Sequence, residues 1–93
     1  MKETTMIEYT VKVDADGDKF WYVNGKLHRE DGPACEHANG DKRWYLNGHR
    51  HREDGPAAEY ANGTKRWYLN GQNLAEAEFN ARLASKKLTV GEI

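Results

Sequence analysis

The chain has 93 residues, 38% of them hydrophobic and 31% charged, and its formal net charge is −1. This length indicates a single domain over 1–93 with a thin hydrophobic core. The near balance of 14 basic and 15 acidic residues argues against a strongly basic nucleic-acid binder and against an acidic DNA mimic. The single cysteine, Cys35, excludes an intramolecular disulfide, and no apolar run is long enough to span a bilayer, so we expect a cytoplasmic protein without membrane contact.

A 23-residue repeat dominates the chain. Its tryptophans lie 23 residues apart, and residues 16–38 and 39–61 align without gaps, with 16 of 23 positions identical. A third unit begins at residue 62 and ends at 73, and a fainter one precedes the first, with Val11 and Val13 one period before Ala34 and Glu36. Such a period predicts stacked supersecondary units, here a β-repeat sheet over 6–73.

Each unit can be interpreted as two main strands joined by tight turns. The stretch 42–46, KRWYL, is short, aromatic and β-prone, and Asn47-Gly48 after it favours a type I′ hairpin turn. A polar return, HRED, leads to a Gly-Pro turn in which Gly55 is expected to supply a positive φ. The second strand, 57–61, ends at a further Asn-Gly hairpin signal. Successive units should therefore extend one antiparallel sheet.

Strand alternation predicts two different faces for this sheet. The Trp of each unit falls on one face and the Tyr that follows it on the other. Because aliphatic residues are few, we expect the three Trp rings to form the core and the Tyr row to be more exposed. Cys35 stands where the next unit has Ala58, which indicates a small, buried packing position.

The last part of the chain changes character and predicts a helix over 74–85. Asn73 with Glu76 three residues later resembles a capping box, and Ala, Glu, Leu and Arg dominate the segment after it. Phe79 and Leu83 share one helical face, which we expect to cover the end of the sheet. Residues 86–93 are expected to form a short tail.

The repeat resembles the MORN-type repeat, and most closely a variant in small bacteriophage-encoded proteins. The motifs that carry this likeness are WYLNG at 44–48, HREDGPA at 51–57 and EYANG at 59–63, with LAEAEFNAR at 74–82 and LTVGEI at 88–93. The resemblance implies a mainly β fold of MORN-like hairpin units with a C-terminal capping helix. It also implies a scaffold or protein-binding role, and for phage accessory proteins the binding and disabling of a host factor such as a CRISPR-Cas defence component.

The sequence does not favour a metal site or a catalytic site. His49 and His51 share a strand face, but no Cys pair or further His cluster completes a familiar set of metal ligands, so we expect no metal or other cofactor. Glu53-Asp54 repeats Glu30-Asp31, as structural positions do, whereas a catalytic site usually breaks symmetry and lies in a pocket. We expect a non-enzymatic protein.

The recurring basic residues allow two interpretations. With the aromatic rows they could follow a single-stranded nucleic acid, where rings stack on bases and cations hold phosphates. The alternative, which the net charge favours, is that Arg29 and Arg52 pair with glutamates in neighbouring columns, at positions 30, 36, 53 and 59.

Binding of a host or phage protein is therefore the first functional hypothesis. Sequestration of a small anionic nucleotide is the second and nucleic-acid binding the third, and an exposed sheet edge could also support a homodimer. Tyr and Arg are enriched at binding hot spots, so the candidate partner-binding residues are Tyr45, Tyr68, Arg43, Arg66, Arg52 and His51.

Overall fold

The computed structural model describes residues 7–91, and the side chains as far as residue 85. Over these residues the chain forms ten short strands followed by one helix, which confirms the predicted mainly antiparallel β fold with a single C-terminal helix. The elements are β1 (Thr10–Val13), β2 (Lys19–Val23), β3 (Lys26–Leu27), β4 (Cys35–Glu36), β5 (Lys42–Arg43), β6 (Tyr45–Leu46), β7 (His49–Arg50), β8 (Ala58–Glu59), β9 (Lys65–Leu69), β10 (Gln72–Leu74) and α1 (Glu76–Gly91). Within this range no helix is both long enough and apolar enough to cross a membrane.

The main sheet has the strand order β1-β2-β4-β5-β8-β9-β10, with every pair antiparallel. Short β3 pairs back onto β2, and β6 and β7 form a separate hairpin. This hairpin continues the sheet through the backbone, because Trp44 N–H donates to Ala57 O at 2.8 Å and Trp44 O accepts from His51 N–H at 3.1 Å. The residues between each Asn-Gly pair and the polar return, Lys26–Leu27 and His49–Arg50, form a paired strand that was not predicted, so each complete unit has more than two strands.

Two kinds of tight turn set the register. Asn24, Asn47 and Asn70 have φ near +50°, and the Gly after each is also positive, so the predicted type I′ turns are present. The turns at Asn39-Gly40 and Asn62-Gly63 differ, since only the Gly has a positive φ. There Gly40 N–H donates to His37 O and His37 N–H donates to Asp41 O, the pattern of a type I turn closed by a glycine bulge.

The core is thinner than the sequence predicts. The described chain is only 16 Å thick in its shortest dimension, and its buried apolar residues are mostly small: Ala34, Cys35, Ala57, Ala58, Leu74 and Phe79. None of the three Trp residues is among these buried residues, because all three are half-buried, so the expectation that the Trp rings form the core is wrong. Cys35 is 4% exposed, which confirms its predicted packing position.

The predicted alternation of faces is present in the strand register. Trp21 pairs with Val11, and Trp67 pairs with Leu74, whereas their neighbours in sequence pair with residues of the other face. We call the side that carries Trp21, Trp44 and Trp67 the Trp face, and the side that carries Tyr22, Tyr45 and Tyr68 the Tyr face. The two faces differ in chemistry.

Helix α1 begins later and ends later than predicted. Asn73 is not its cap: it pairs with Tyr68 in β10, and the first helical hydrogen bond runs from Phe79 N–H to Ala75 O. The Asn-Gly turn before β10 extends the hairpin into residues that the pattern assigned to the helix. At the other end, residues 86–91 of the predicted tail are helical, while 92 and 93 lie outside the described residues.

The helix covers one end of the sheet, as expected. Phe79 is 3% exposed and shares a cleft with Trp67 and Leu83 on the Trp face. Arg82 anchors the helix by donating to Gln72 Oε1 at 3.3 Å. At the opposite end, β1 is the other edge strand of the main sheet, and every residue of it is exposed, with Val13 at 59%.

Candidate functional site

On the Trp face, two arginines make the same contacts one period apart. The Cζ atom of Arg52 lies 3.9 Å from the centroid of the Trp44 ring, and that of Arg29 lies 3.9 Å from the Trp21 ring. Arg52 also donates to Asp54 at 2.8 Å, to the Pro56 carbonyl at 3.0 Å and to Glu59 at 3.2 Å, and Arg29 repeats all three bonds. The predicted pairing with glutamates is therefore confirmed for positions 36 and 59.

The Gly of each Gly-Pro turn makes room for this guanidinium. Neither Gly32 nor Gly55 has a positive φ, so the expected reason for glycine at this position is wrong. A Cβ atom on Gly55 would instead lie 3.0 Å from Arg52 Cζ, and one on Gly32 would lie 3.1 Å from Arg29 Cζ. Glycine suits this position because the Cβ atom of any other residue would require the guanidinium to shift by a few tenths of an ångström.

The histidine before each of these two arginines accepts a hydrogen bond from the backbone of the next unit. His51 Nδ1 accepts the Asn70 N–H at 2.9 Å, and His28 Nδ1 accepts the Asn47 N–H at 2.8 Å. Nδ1 must be unprotonated to accept, so the ring carries its proton on Nε2, which faces Glu53 at 3.2 Å in the case of His51. The side chain of His51 is only 10% exposed. These contacts give His51 a structural role.

Alternating charges complete the Trp face. Across successive strands Lys19 pairs with Glu36, Glu36 with Lys42, Lys42 with Glu59, and Glu59 with Lys65. Opposite charges placed directly across antiparallel strands stabilise the sheet modestly. The basic residues of this face are therefore largely neutralised by acidic neighbours.

The Tyr face holds a different cluster, centred on Arg50. Its guanidinium donates to Tyr45 Oη at 3.0 Å and to Tyr68 Oη at 3.3 Å, and it lies over both rings, 5.5 and 4.9 Å from their centroids. Burial is the largest single effect on the pKa of Arg50 and lowers it, but the hydrogen bonds and electrostatic interactions with Tyr45 and Tyr68 together raise this pKa above its ordinary value, so the side chain is cationic. Two half-buried phenols and one guanidinium thus form a fixed group of hydrogen-bonding atoms that we call the Arg50 cluster.

A second arginine lies near the Arg50 cluster. Arg43 Nη1 bonds to His37 Nε2 at 2.8 Å, and its Cζ lies 5.4 Å from the centroid of the Tyr60 ring. Its Nε is buried and has no hydrogen-bond partner among the described residues. Arg66, two strands away, is exposed and donates to the backbone oxygen of Lys65.

The two faces of the sheet differ in their charge. In the described strands the Tyr face carries the cations Lys12, Arg43, Arg50 and Arg66 and no acidic side chain. Asp18 and Asp41 lie in turns that border this face. The pKa of each is lowered mainly by a hydrogen bond that its carboxylate accepts from a backbone N–H, that of Ala38 for Asp18 and that of Ala61 for Asp41. The Tyr face is therefore cationic although the whole chain is nearly neutral.

Arg50 is the functional candidate that the sequence pattern did not reveal. The equivalent residue is Leu27 in the preceding unit and Asn73 in the following unit, so the repeat does not require arginine at this position. Arg29 and Arg52 attract attention in the sequence because they recur, and their contacts recur with them. Departure from the repeat was the signal that could have identified Arg50.

The six predicted site residues divide between the two faces. Tyr45, Tyr68, Arg43 and Arg66 lie on the Tyr face, where Tyr45 and Tyr68 are joined by Arg50. Arg52 and His51 lie on the Trp face and are engaged in repeat contacts, so they do not join the other four.

A groove of about 740 Å³ separates the two HREDGPA loops on the Trp face. Arg29 and Arg52 line it, but each is already paired with carboxylates. Four acidic side chains line the same groove: Glu30, Asp31, Glu53 and Asp54. In residues 7–91, no group of three or more His, Cys, Asp or Glu side chains is placed to hold a metal ion.

Comparisons with known proteins gave no match: no family model, no curated protein and no solved structure is significantly similar to the chain.

Proposed function

We propose that the chain is a non-enzymatic binding protein that contacts a protein partner through the Tyr face. The observation that carries this proposal is Arg50, a cation that the repeat does not need and that joins two tyrosines on the less neutralised side of the sheet. The recurring arginines of the Trp face already stack on tryptophan and pair with acids, and they serve the fold.

The composition of the Tyr face suits protein recognition. Tyr and Arg are the residues most enriched among binding hot spots, together with Trp. In the Arg50 cluster they are held in place by their own hydrogen bonds, so a partner would order few additional side chains on binding. Several strands side by side also give a contact surface wide enough for a modest interface.

The resemblance to small bacteriophage proteins extends this proposal. We propose that the partner is a host protein, such as a component of a bacterial defence system, and that binding blocks a surface that this protein needs. Action in the host cytoplasm is part of the same proposal, and the lone, buried Cys35 suits that reducing compartment.

A catalytic role finds less support. Among the described residues, the group that resembles a reactive site consists of Asp18, His37 and Cys35. His37 Nδ1 lies 3.2 Å from Asp18, but its Nε2 is taken by Arg43. The nearby Cys35 is buried, and burial raises the pKa of its thiol, which keeps it in the unreactive protonated form. This group therefore lacks an activated nucleophile.

Nucleotide sequestration is also less favoured. The groove on the Trp face offers a concavity, yet its guanidiniums are paired with carboxylates, and an anionic ligand would meet four acidic side chains there. A phosphate group placed in this groove would experience net repulsion.

Capture from a bacterial cell lysate, followed by mass spectrometry, tests the proposal with two matched variants. Arg50→Leu introduces the residue that the first unit carries at this position, and Lys26→Leu removes one positive charge from the opposite face. We expect a protein that is retained by the parent and by Lys26→Leu and lost with Arg50→Leu. Equal capture by all three, or no captured protein, would contradict the proposal.

A further inference from the structure

We infer that the Tyr face recognises an extended, acidic segment of its protein partner, with carboxylates at every third residue. This inference rests on the proposed function and specifies the chemistry of the partner. It starts from the separation of charge between the faces.

The cations of the Tyr face have few acidic neighbours within the fold. On the Trp face, lysines alternate with glutamates and the arginines pair with carboxylates, but Arg43, Arg50 and Arg66 have no acidic residue across the strands. Asp41 borders the face, and its carboxylate accepts the Ala61 N–H at 2.7 Å. A partner that supplies carboxylates would meet cations with donor capacity remaining, since a guanidinium has five N–H donors.

Four tyrosine rings of this face each have a cation above them. Lys12 lies over Tyr22, Arg43 over Tyr60, and Arg50 over both Tyr45 and Tyr68, at ring-centroid distances between 4.9 and 5.5 Å. A single-stranded nucleic acid needs open ring faces on which its bases stack. The occupied rings therefore favour a ligand that bonds to N–H and O–H groups at the surface, as carboxylates do, over stacking bases.

The distance between Arg43 and Arg66 indicates which conformation the acidic segment of the partner adopts. Arg43 and Arg66 both pair with Ala58, one on each side, so they lie two strands apart, about 9.6 Å at the usual strand spacing. A polyproline II helix has three residues per turn and rises about 9.3 Å over them, which returns every third side chain to the same side. An acidic segment in this conformation would place successive carboxylates opposite successive units.

Fluorescence anisotropy with a labelled peptide of repeated Glu-Pro-Pro triplets tests this inference. The comparison peptides are Gln-Pro-Pro triplets and a peptide of the same composition with its glutamates clustered at one end. We expect the triplet glutamate peptide to bind most tightly, and Arg50→Leu to weaken it by about tenfold or more, as for loss of a charged anchor. Lys26→Leu is the charge-matched control and should bind like the parent. Leu27 occupies the position of Arg50 in the first unit, so leucine fits there. Because the variant loses the bonds to Tyr45 and Tyr68, its affinity is measured well below its own melting temperature.

Several outcomes would overturn the inference: no peptide binding, equal binding of the Gln peptide or of the clustered peptide, or unchanged affinity in Arg50→Leu. Tighter binding of labelled oligothymidylate, with competition between the two probes, would replace it with nucleic-acid recognition. If lysate capture depended on Arg50 while all peptides failed, the proposed protein binding would stand and the acidic-segment inference would fall.

Discussion

Gly55→Ala should destabilise the protein by about 1–2 kcal/mol, although the backbone at this position accepts alanine. The φ of Gly55 is not positive, so the new methyl group causes no backbone strain. The added Cβ would lie 3.0 Å from Cζ, 3.2 Å from Nη1 and 3.3 Å from Nε of Arg52. Contacts this short require the guanidinium to shift by a few tenths of an ångström, which weakens its stacking on Trp44 and its hydrogen bonds.

The magnitude follows from what Arg52 would lose. Stacking on a partly desolvated aromatic ring contributes about 0.5–2 kcal/mol. The bonds to the Pro56 carbonyl and Glu59 contribute about 1 kcal/mol each at a site this close to solvent, and part of them would be lost. Replacing Gly with Ala also restricts the unfolded chain, which offsets about 0.4–1 kcal/mol of the loss.

A double-mutant cycle with Arg52→Ala measures this directly by urea denaturation. Without the guanidinium the clash is removed, so Gly55→Ala should become neutral or stabilising by about 0.4–1 kcal/mol. The pair Arg29 and Gly32 provides the same cycle in the first unit. Additive effects, with Gly55→Ala equally costly in both backgrounds, would refute the account of this glycine.

Three further substitutions test a tryptophan, a turn glycine and a turn aspartate that we expect to stabilise the sheet. Trp44→Ala should cost about 3 kcal/mol, the lower end for a large aromatic since the ring is half-buried, and an unchanged melting temperature would argue against its role. Gly48→Val should cost about 1–3 kcal/mol because its φ is +82°, and a variant as stable as the parent in urea would exclude a type I′ turn. The pKa of Asp41 is held below its ordinary 3.8 by the Ala61 N–H, so its contribution to stability is complete above that value and lost as the pH falls below it. Asp41→Asn should therefore flatten the acid side of the melting-temperature profile, and a profile that keeps the parent slope would contradict this.

The features that were predicted correctly are those set by local chemistry. Asn47-Gly48 specifies a type I′ turn because both residues tolerate positive φ, and this holds without knowledge of the rest of the fold. The opposite faces of Trp44 and Tyr45 follow from strand alternation alone. The pairing of Arg29 with Glu36 and of Arg52 with Glu59 follows from stacking near-identical units in register.

The features that were missed depend on contacts between distant side chains. The reason for Gly55 lies in the position of the Arg52 guanidinium, which a turn pattern does not contain. Asn73 has the chemistry of a helix cap, but pairing with Tyr68 in the sheet competes for it and prevails. Arg50 was overlooked because a repeat draws attention to residues that recur, whereas its two tyrosine partners are brought together only by the folded sheet.

One comparison tests the central claim, that the Tyr face binds and the Trp face supports the fold. It measures, for Arg50→Leu and Arg52→Leu side by side, the melting temperature and the capture of the protein partner by the folded fraction. We predict that Arg50→Leu, in which leucine takes the position that Leu27 holds in the first unit, loses capture even in its folded fraction. Arg52→Leu should lower the melting temperature and retain capture, because Arg52 stacks on Trp44 and bonds within the repeat. The reverse result, with capture lost in Arg52→Leu and kept in Arg50→Leu, would contradict the assignment of the two faces.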